Sequence, residues 1–344
     1  MKIMIVTDAW DPQVNGVVRT LKSTIRELIA MGHRVELITP LEFKTIPCPT
    51  YAEIRLSLLP KRHLSQRIRD FAPDALHIAT EGTLGIAARA FALKNKMPFS
   101  TAYHTRFPEY VQARTHIPLA WTYKFLHWFH KPATAMMAPT PVVKRDLEHY
   151  GFSNVVLWTR GVDLDTFRPM TTNVLKTARP IFLYVGRVAV EKNVEAFLEL
   201  ELPGSKWIVG TGPALAGLKA KYPKASYLGV LAQDALAAAY ASADVFVFPS
   251  RTDTFGLVLL EALACGTPVA TYPVTGPIDV LGDGGAGAMH EDLREACIQA
   301  LSIDRQHARA WAERFSWHAA TVEFVAHLLP AASAHAVQPT NAIA

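Results

Sequence analysis

Short apolar runs rich in β-branched residues alternate with longer stretches of helical periodicity along the first half of the chain. Strands that alternate with helices in this way predict βαβ units, and therefore a parallel sheet. The predicted strands are Lys2–Thr7, Val35–Thr39, Ala75–Ile78, Phe99–Tyr103, Thr134–Met137 and Val155–Leu157. The predicted helices lie at about Val17–Met31, Leu84–Lys94, Leu119–His130 and Pro141–Tyr150. This half of the chain therefore predicts one doubly wound domain.

The same alternation restarts after Arg160–Pro169, a segment with charged turns and a closing proline that we interpret as a linker. The strands predicted beyond it are Ile181–Val185, Lys206–Val209, Ser226–Leu228, Val245–Phe248 and Val269–Thr271, with helices near Glu191–Leu200, Asp234–Ala241 and Gly256–Cys265. Asp292–Leu329 is predicted to be helical throughout.

The two halves together predict an α/β fold of two Rossmann-like, doubly wound parallel-sheet domains that face each other across a cleft. We expect the domains to comprise residues 1–165 and 166–315. A C-terminal helix at about 316–330 is expected to pack back on the first domain.

Composition narrows the class of protein. The 344 residues exceed one typical hydrophobic core, and 50% of them are apolar while 19% are charged, as in a folded α/β protein. The chain has no run of eighteen or more uncharged apolar residues, so the sequence predicts no membrane span. The apolar run at the N-terminus ends at Asp8 and is too short for the apolar region of a signal peptide. The three cysteines have unrelated spacings, so they predict neither a disulfide framework nor a zinc site. We therefore expect a cytoplasmic protein.

The formal net charge of +5 favours an anionic partner, such as a phosphorylated substrate or an anionic lipid. Nucleic acid is not expected, because the chain has no basic run, no recognition-helix pattern and no aromatic RNA-binding motif. The sequence carries no pattern that indicates an oligomeric state.

Two loops that follow predicted strands are candidates for holding phosphate. Gly16 opens the first helix, where exposed N–H groups favour anions, although a glycine there is also an ordinary turn residue. No G-x-G-x-x-G motif supports a dinucleotide cofactor. Arg187 and Lys192 follow strand Ile181–Val185, at the end of the strand where an open α/β sheet binds its ligand. They could neutralise a diphosphate leaving group in place of a metal ion, or they could be two surface cations of a loop.

A third loop carries two carboxylates around the start of a helix. Asp253 follows strand Val245–Phe248, and Glu261 lies one to two turns into the next helix. Between them, the amides of Gly256 and Leu257 are donors of a first helical turn that lack a partner within the helix. One carboxylate could hold sugar hydroxyls, the amides a phosphate, and the other carboxylate a ribose diol. In the alternative, Asp253 caps the helix and Glu261 is a solvated helix residue.

These motifs together resemble the family-4 retaining glycosyltransferases of the GT-B fold, and in particular bacterial GDP-mannose-dependent mannosyltransferases and diacylglycerol glycosyltransferases. The segments that carry the resemblance are NGVVRTL, YHTRFPEY, RGVDLDTFRP, YVGRVAVEKN and TDTFGLVLLEALACGTPV. They follow the family's order over nearly the whole chain. The resemblance implies a hexosyltransferase that uses a UDP- or GDP-linked hexose or hexuronic acid and needs neither a metal ion nor a cofactor.

The resemblance also implies roles for single residues. Arg187 and Lys192 would bind the donor diphosphate, Asp253 the transferred sugar and Glu261 the ribose. His104 would lie beside the donor sugar, which completes the implied catalytic set of His104, Arg187, Lys192 and Asp253. The implied donor-binding set is Gly16, Arg187, Lys192, Asp253, Phe255, Gly256, Leu257 and Glu261. Asp253 is one methylene shorter than the family's commoner glutamate, so the sugar could sit slightly differently.

One D-x-D pattern, Asp163–Asp165, matches the metal-binding motif of other glycosyltransferases, but it lies in the predicted linker beside Arg160 and Arg168. Two cations beside the motif disfavour a third. We expect no metal site.

One segment of the first domain predicts contact with a membrane lipid. Trp121, Phe125 and Trp128 recur at helical spacing, and Lys124 and Lys131 project between them. An aromatic face beside basic residues is typical of a membrane interface, although an aromatic stripe is also typical of core packing. The segment favours diacylglycerol or a glycolipid as the acceptor, with the protein peripheral on the inner face of the cytoplasmic membrane. A soluble sugar or polysaccharide acceptor is the alternative.

Two other classes of protein also use a pair of Rossmann-like domains. A sugar-nucleotide epimerase would need acid–base carboxylates over the sugar, and its motifs do not match the loop around Asp253. A solute-binding protein is disfavoured by the paired cations Arg187 and Lys192 and by the lack of a secretion signal.

Overall fold

The computed structural model describes residues 1–328, except residues 14, 49, 50, 107, 110, 113–117, 173, 176 and 252. The chain divides into two compact units. The first contains Met1–Thr159 and the chain from Trp317 to Leu328, and the second contains Arg160–Ser316. Each unit has a six-stranded parallel sheet with helices, which confirms the predicted class of two Rossmann-like domains.

The sheet of the first unit has the order β2-β1-β5-β6-β7-β8, with every neighbouring pair parallel. Its strands are β1 (Lys2–Val6), β2 (Arg34–Ile38), β5 (Ala75–Ile78), β6 (Ser100–Ala102), β7 (Ala135–Ala138) and β8 (Val155–Leu157). Strands β3 (Thr45–Cys48) and β4 (Tyr51–Ser57) form a separate antiparallel hairpin. Residues 3 to 6 of β1 are all fully buried, so both faces of this strand are covered. Double burial explains why the strands are continuous apolar runs.

The helices of the first unit are α1 (Gly16–Ala30), α2 (Lys61–Phe71), α3 (Thr83–Lys94), α4 (Leu119–His130), α5 (Pro141–His149) and, near the end of the chain, α13 (Trp317–Ala326). Helix α1 begins where the Asn15 side chain accepts the Val18 N–H at 3.0 Å. Helix α13 packs on α1, and the buried ring of Phe324 lies 4.8 Å from the rings of both Trp158 and His77. The first unit therefore uses chain from both sides of the second.

The second unit has the sheet order β11-β10-β9-β12-β13-β14, again parallel throughout. Its strands are β9 (Ile181–Val185), β10 (Ser205–Val209), β11 (Ser226–Gly229), β12 (Val245–Phe248), β13 (Val269–Thr271) and β14 (Gly287–Met289). Its helices are a short 3-10 turn (Val190–Lys192), α6 (Val194–Glu199), α7 (Leu215–Lys221), α8 (Gln233–Ser242), α9 (Leu257–Ala264), α10 (Pro277–Leu281), α11 (Leu293–Ala300) and α12 (Arg305–Ala312). Two apolar clusters, one on each side of this sheet's central strands, form its core.

The range Asp292–Leu329, which the sequence predicts to be helical throughout, is interrupted in its described part, which ends at Leu328. Three separate helices, α11, α12 and α13, occupy it. The Asp304 side chain accepts the Gln306 N–H at 3.0 Å, so this residue begins a new helix instead of continuing the previous one. Ser316 leaves the helical path to pair with Val162 in a parallel bridge.

The segment Arg160–Pro169, which the sequence predicts to be a linker, is packed into the second unit. Val162 and Phe167 are buried in its core, and Arg160 is buried as well. The Arg309 guanidinium donates to the carbonyl of Phe167 at 2.9 Å and fixes the segment on α12. The apolar side chains of Val162 and Phe167 therefore anchor this segment in the core of the second unit.

Candidate active site

The second unit has a topological switch point between β9 and β12. From β9 the chain moves outward to β10 and β11, whereas from β12 it moves the other way to β13 and β14. In open parallel sheets such a point leaves a crevice outside the carboxyl ends of the two strands, and ligands bind there. The loops that follow these strands are residues 186–193 and 249–256. They contain three of the four residues that the sequence predicts to be catalytic, Arg187, Lys192 and Asp253.

Glycines fix the backbone of the loop after β9. Gly186 has a φ of 153°, and a Cβ there would lie 2.8 Å from the Tyr184 hydroxyl oxygen. That hydroxyl donates to the carbonyl of Arg187 at 2.7 Å. A Cβ on Gly210, at the end of β10, would lie only 1.9 Å from the Gly186 carbonyl oxygen. The neighbouring strand ends therefore approach closely, and the backbone of half-buried Arg187 is held at the carboxyl end of β9.

The structure brings Lys192 and Asp253 into direct contact. The Lys192 ammonium lies 2.6 Å from Asp253 Oδ2, and the two side chains are only 21% and 16% exposed. Asn193, at a φ of 52°, donates from its side-chain amide to the Pro249 carbonyl at 3.1 Å, which ties the loop after β9 to the loop after β12. A cation and a carboxylate from the loops after two neighbouring strands thus meet at the switch point, and their roles toward a donor stay predictions.

The N-cap residue of helix α9 is Gly256, and no side-chain hydrogen bond caps the helix there. Gly256 has a φ of 84°, a conformation that glycine adopts without strain. The alternative in which Asp253 caps this helix is therefore wrong, because its carboxylate pairs with Lys192 instead. The first-turn N–H groups at Gly256 and Leu257 keep the uncapped helix start that suits an anion.

The side chains of Glu261 and Phe255 are more buried than expected for residues that contact a bound ligand. Glu261 is 5% exposed, and its carboxylate accepts the hydroxyl of buried Tyr240 at 3.1 Å. The alternative of a solvated helix residue is therefore wrong. The side chain of Phe255 is buried in the core, so its backbone is the part left for a donor. Tyr240 had no sequence signal, because it lies in an alanine-rich helix without a motif.

In the first unit, Gly16 is the exposed first residue of α1. The loop before it follows β1, and Asp8 lies at the beginning of this loop, two residues after the strand ends. Asp8 is buried, and its carboxylate accepts the amide N–H groups of Leu84 and Gly85 at 2.9 and 3.2 Å. Burial raises the pKa of Asp8, while these two amide bonds act against the increase. Asp8 thus closes the N-terminus of α3.

His104 follows β6 and is half-buried, with its ring 5.7 Å from the ring of buried Trp158 in an edge-to-face contact. It belongs to the first unit, whereas the other three implied catalytic residues belong to the second. Its role beside the donor sugar stays a prediction. Phe107 and Tyr110 of the same motif lie outside the described residues.

A polar cluster that sequence reasoning did not assemble anchors the loop after His104. The Arg106 guanidinium lies 2.6 Å from the Asp146 carboxylate on α5 and 3.7 Å from that of Glu109. The Tyr123 hydroxyl on α4 donates to Glu109 at 3.0 Å. Burial, together with the Glu109 charge, raises the pKa of Tyr123 and keeps it a hydrogen-bond donor. The charged residues of the HTRFPEY segment were the feature of the sequence from which this cluster could have been predicted.

The sequence left open whether the aromatic residues of helix α4 face a membrane or pack in the core, and the helix has both a buried face and an exposed one. Its inner face is core, with Leu126 and Phe129 fully buried. On its outer face Trp121 is 73% exposed and Trp128 is 48% exposed. Lys124 and Lys131 are also exposed, and Phe125 is half-buried. The Arg89 guanidinium lies 4.0 Å from the centre of the Trp128 ring.

Within the described residues, no helix has both the length and the apolar character needed to cross a bilayer. The same part of the chain contains no group of three or more His, Cys, Asp or Glu side chains placed to hold a metal ion.

Comparison with known families matches both units. The family model "Glycosyltransferase Family 4" matches residues 14–166, and "Glycosyl transferases group 1" matches residues 179–303. The chain is 31% identical to a GDP-mannose-dependent alpha-mannosyltransferase of Mycobacterium tuberculosis, covering 82% of this chain and 81% of the relative. It is 29% identical to the sulfoquinovosyl transferase SQD2 of Arabidopsis thaliana, covering 90% of this chain and 69% of that one. It is 28% identical to an alpha-monoglucosyldiacylglycerol synthase of Streptococcus pneumoniae, covering 88% and 78%.

Solved structures share the fold. The sucrose-phosphate synthase of Thermosynechococcus elongatus aligns with a TM-score of 0.75 at 20% identity, covering 94% of this chain and 97% of that one. Anabaena HepE in complex with UDP-glucose aligns with a TM-score of 0.69 at 15% identity, covering 95% and 100%. Both likenesses extend over the two units, so the predicted GT-B fold class is confirmed.

Proposed function

The chain belongs to the family-4 glycosyltransferases and acts with nucleotide sugars, and from this premise we propose that it transfers a hexose or hexuronic acid to a membrane lipid. The proposed donor is UDP- or GDP-linked, and the proposed outcome is retention of the anomeric configuration. Family membership sets aside the epimerase and the solute-binding protein.

The observation that carries the proposal is the Lys192–Asp253 pair at the switch point of the second unit, 2.6 Å between Nζ and Oδ2. When the donor binds, its diphosphate supplies Lys192 with a new anionic partner. Asp253 is then released to accept hydroxyl protons of the transferred sugar. The same exchange of partners places positive charge from Lys192 and Arg187 on the oxygens that gain negative charge as the glycosidic bond breaks.

Retention follows in a front-face reaction. The acceptor oxygen forms a bond to the anomeric carbon on the side from which the diphosphate departs, and its proton passes to the departing phosphate oxygen. No protein base is then needed. The protein contributes positioning and charge stabilisation, which together can supply much of the barrier reduction. With two cations opposite the diphosphate, we propose that no metal ion takes part.

The lipid acceptor rests on the exposed face of α4 and on relatives named for glycolipid products. Trp121 and Trp128 are exposed beside Lys124 and Lys131, a combination that suits the head-group layer of an anionic bilayer. The Streptococcus pneumoniae relative is an alpha-monoglucosyldiacylglycerol synthase. We propose peripheral attachment to the inner face of the cytoplasmic membrane. A soluble sugar or polysaccharide acceptor is the alternative.

The test combines donor, acceptor and metal in one series. Thermal shift with UDP-, GDP-, ADP- and TDP-sugars identifies the donor, because ligand binding raises the melting temperature by mass action. Labelled sugar from that donor is then offered to extracted membrane lipid and to soluble sugars, with and without excess EDTA. We expect lipid labelling that persists in EDTA and an α-linked product from an α-linked donor. Inversion of the anomeric configuration would overturn retention, and labelling of soluble sugars alone would overturn the lipid acceptor. Loss of activity in EDTA with rescue by magnesium or manganese would overturn metal independence.

A further inference from the structure

A pocket of about 410 Å³ opens in the first unit, on the side where β1 and β2 end. Residues 10–13 follow β1, residues 40 and 41 follow β2, and the hairpin of β3 and β4 completes the wall with Thr45 and Arg55. A volume of this size falls within the range of small-molecule sites. Its position at the carboxyl edge of a parallel sheet is also where such folds bind ligands.

Arg55 enters this pocket in a fixed orientation. Its Nε donates to the Thr45 hydroxyl at 3.0 Å and one Nη donates to the Thr45 carbonyl at 3.2 Å. Both bonds run across the hairpin, so the guanidinium is positioned before any ligand arrives. A rigid donor fork loses little conformational freedom on binding.

The pocket also contains a charge of the opposite sign. Asp11 lines it, with one carboxylate oxygen 2.7 Å from the Lys22 ammonium. A sulfonate or a fully ionised phosphate in the pocket could accept from Arg55 but has no proton to donate to Asp11, whose charge Lys22 already balances. A hydroxyl group, by contrast, can both accept from a guanidinium and donate to a carboxylate.

The remaining wall is mostly apolar and includes the half-buried ring of Trp10 beside Pro12 and Pro40. An indole surface next to one donor group and one acceptor group matches a ring that has apolar C–H faces and a hydroxylated rim. The single free hydroxyl of diacylglycerol would use neither the volume nor the paired polar groups.

We infer that this pocket binds a neutral hydroxylated ring of the acceptor, and hence that the preferred acceptor is a lipid that already carries a hexose. The inference rests on the proposed function and narrows its acceptor class from diacylglycerol or a glycolipid to a glycolipid. Trp10, Asp11 and Arg55 are the residues that recognise the ring.

The experiment uses two acceptors with the same alkyl chain, octyl hexosides and octylglycerol, with the donor identified by thermal shift. Wild-type protein should give a kcat/KM at least about tenfold higher for an octyl hexoside than for octylglycerol. Arg55→Ala and Asp11→Asn should each raise KM for the octyl hexoside about tenfold or more, while octylglycerol kinetics and the donor KM change less than about twofold. Arg34→Ala is the matched control, because Arg34 is an exposed arginine at the opposite end of β2.

Direct binding separates this inference from the proposed function. Methyl hexosides are titrated without donor and followed by saturation-transfer NMR, which requires no turnover. A signal in the wild type that Asp11→Asn and Arg55→Ala both weaken supports the pocket even if lipid transfer fails. Equal kcat/KM for octylglycerol and the hexosides, or hexoside binding that neither variant alters, would overturn the inference while leaving lipid transfer intact. Asp11→Asn keeps the test decisive if loss of Arg55 unfolds the hairpin.

Discussion

Lys192 and Asp253 lie 61 residues apart in the chain and meet only because β9 and β12 are neighbours in the sheet. Without donor they neutralise each other in a partly buried site. A diphosphate that binds Lys192 must therefore replace the existing ion pair with Asp253. The two residues should consequently respond differently to substitution, although they form one pair.

Lys192→Ala and Arg187→Ala are each expected to lower kcat/KM by roughly a hundredfold, the scale of losing one charge-stabilising donor. Both should also weaken binding of the free nucleoside diphosphate, measured by calorimetry. Lys219→Ala, an exposed lysine of the same unit on α7, is the control and should behave as wild type. Near-normal turnover of folded Lys192→Ala and Arg187→Ala would remove both residues from the donor site.

Asp253→Asn should separate binding from transfer. The amide is neutral and no longer holds Lys192 by charge, so affinity for UDP or GDP should stay equal to wild type or increase. Transfer should fall about tenfold or more, because hydrogen bonds from sugar hydroxyls to a charged acceptor are lost. Calorimetry with the nucleoside diphosphate and steady-state kinetics measure the two effects. Weakened diphosphate affinity in this variant would mean that Asp253 does not compete with the donor for Lys192.

The candidate site illustrates what single residues reveal in a sequence. Arg187, Lys192 and Asp253 could be singled out because each follows a recognisable strand and belongs to a motif. The partner of Glu261 could not, since Tyr240 reaches it from a different helix and tertiary packing alone brings the two together. The same holds for Arg106 and Asp146, which lie 40 residues apart.

At the scale of elements, segments with a continuous apolar run or clear helical periodicity were predictable, and segments without such a pattern were not. Strands β9, β12 and β13 and helix α4 have the predicted bounds, because continuous apolar runs or helical periodicity mark them. The β3–β4 hairpin lacks an alternating pattern and was not predicted, nor was α2, whose eleven residues contain few apolar positions. The breaks between α11, α12 and α13 depend on side-chain caps and one bridge, which helical periodicity does not reveal.

Asp8 connects two elements of the first unit, and its loss should destabilise α3. Its carboxylate accepts two amide N–H groups at the start of α3 and the hydroxyls of Thr80 and Thr83 at 3.0 and 3.3 Å. A Cβ on Gly82, the N-cap of α3, would lie 2.4 Å from this carboxyl group, so a residue without a side chain leaves the space that Asp8 occupies. We expect Asp8→Ala to lower the free energy of unfolding by about 1–3 kcal/mol in denaturant titrations. Asp74→Ala, another aspartate of the first unit, is the control, and an equal loss in both would contradict a specific role in α3.

The pH dependence of this effect has a definite sign. Burial raises the pKa of Asp8 above its ordinary value of 3.8, so the folded protein keeps this proton at a pH where the unfolded chain has lost it. The resulting stabilisation is fully present below pH 3.8 and is lost as the pH rises through the folded-state pKa. The unfolding free energy of the wild type, relative to Asp8→Asn, should therefore decrease over that interval and level off above it. An increase would mean that the amide bonds outweigh burial.

At the scale of the whole molecule, the two units carry different tasks in one chain. The second contains the switch-point loops with Arg187, Lys192 and Asp253, and the first contains the exposed aromatic face of α4 and the pocket beside Arg55. Substitutions on the exposed face of α4 or in the pocket beside Arg55 should therefore affect the acceptor and leave the donor unchanged. That separation makes membrane attachment testable without disturbing donor binding.

Vesicle binding is the test of membrane attachment. Trp121→Ala and Trp128→Ala should each reduce co-sedimentation with anionic vesicles several-fold, because an indole buried in the head-group layer contributes apolar area. Lys124→Ala and Lys131→Ala should make the remaining binding less dependent on salt, since screening acts on the charged part only. Ile29→Ala, an exposed apolar residue on α1, is the control. Donor affinity should be unchanged throughout, as none of the five positions belongs to the predicted donor site. If wild-type protein ignores anionic vesicles and transfers sugar efficiently to a soluble acceptor, the exposed face of α4 has another role and the acceptor is water-soluble.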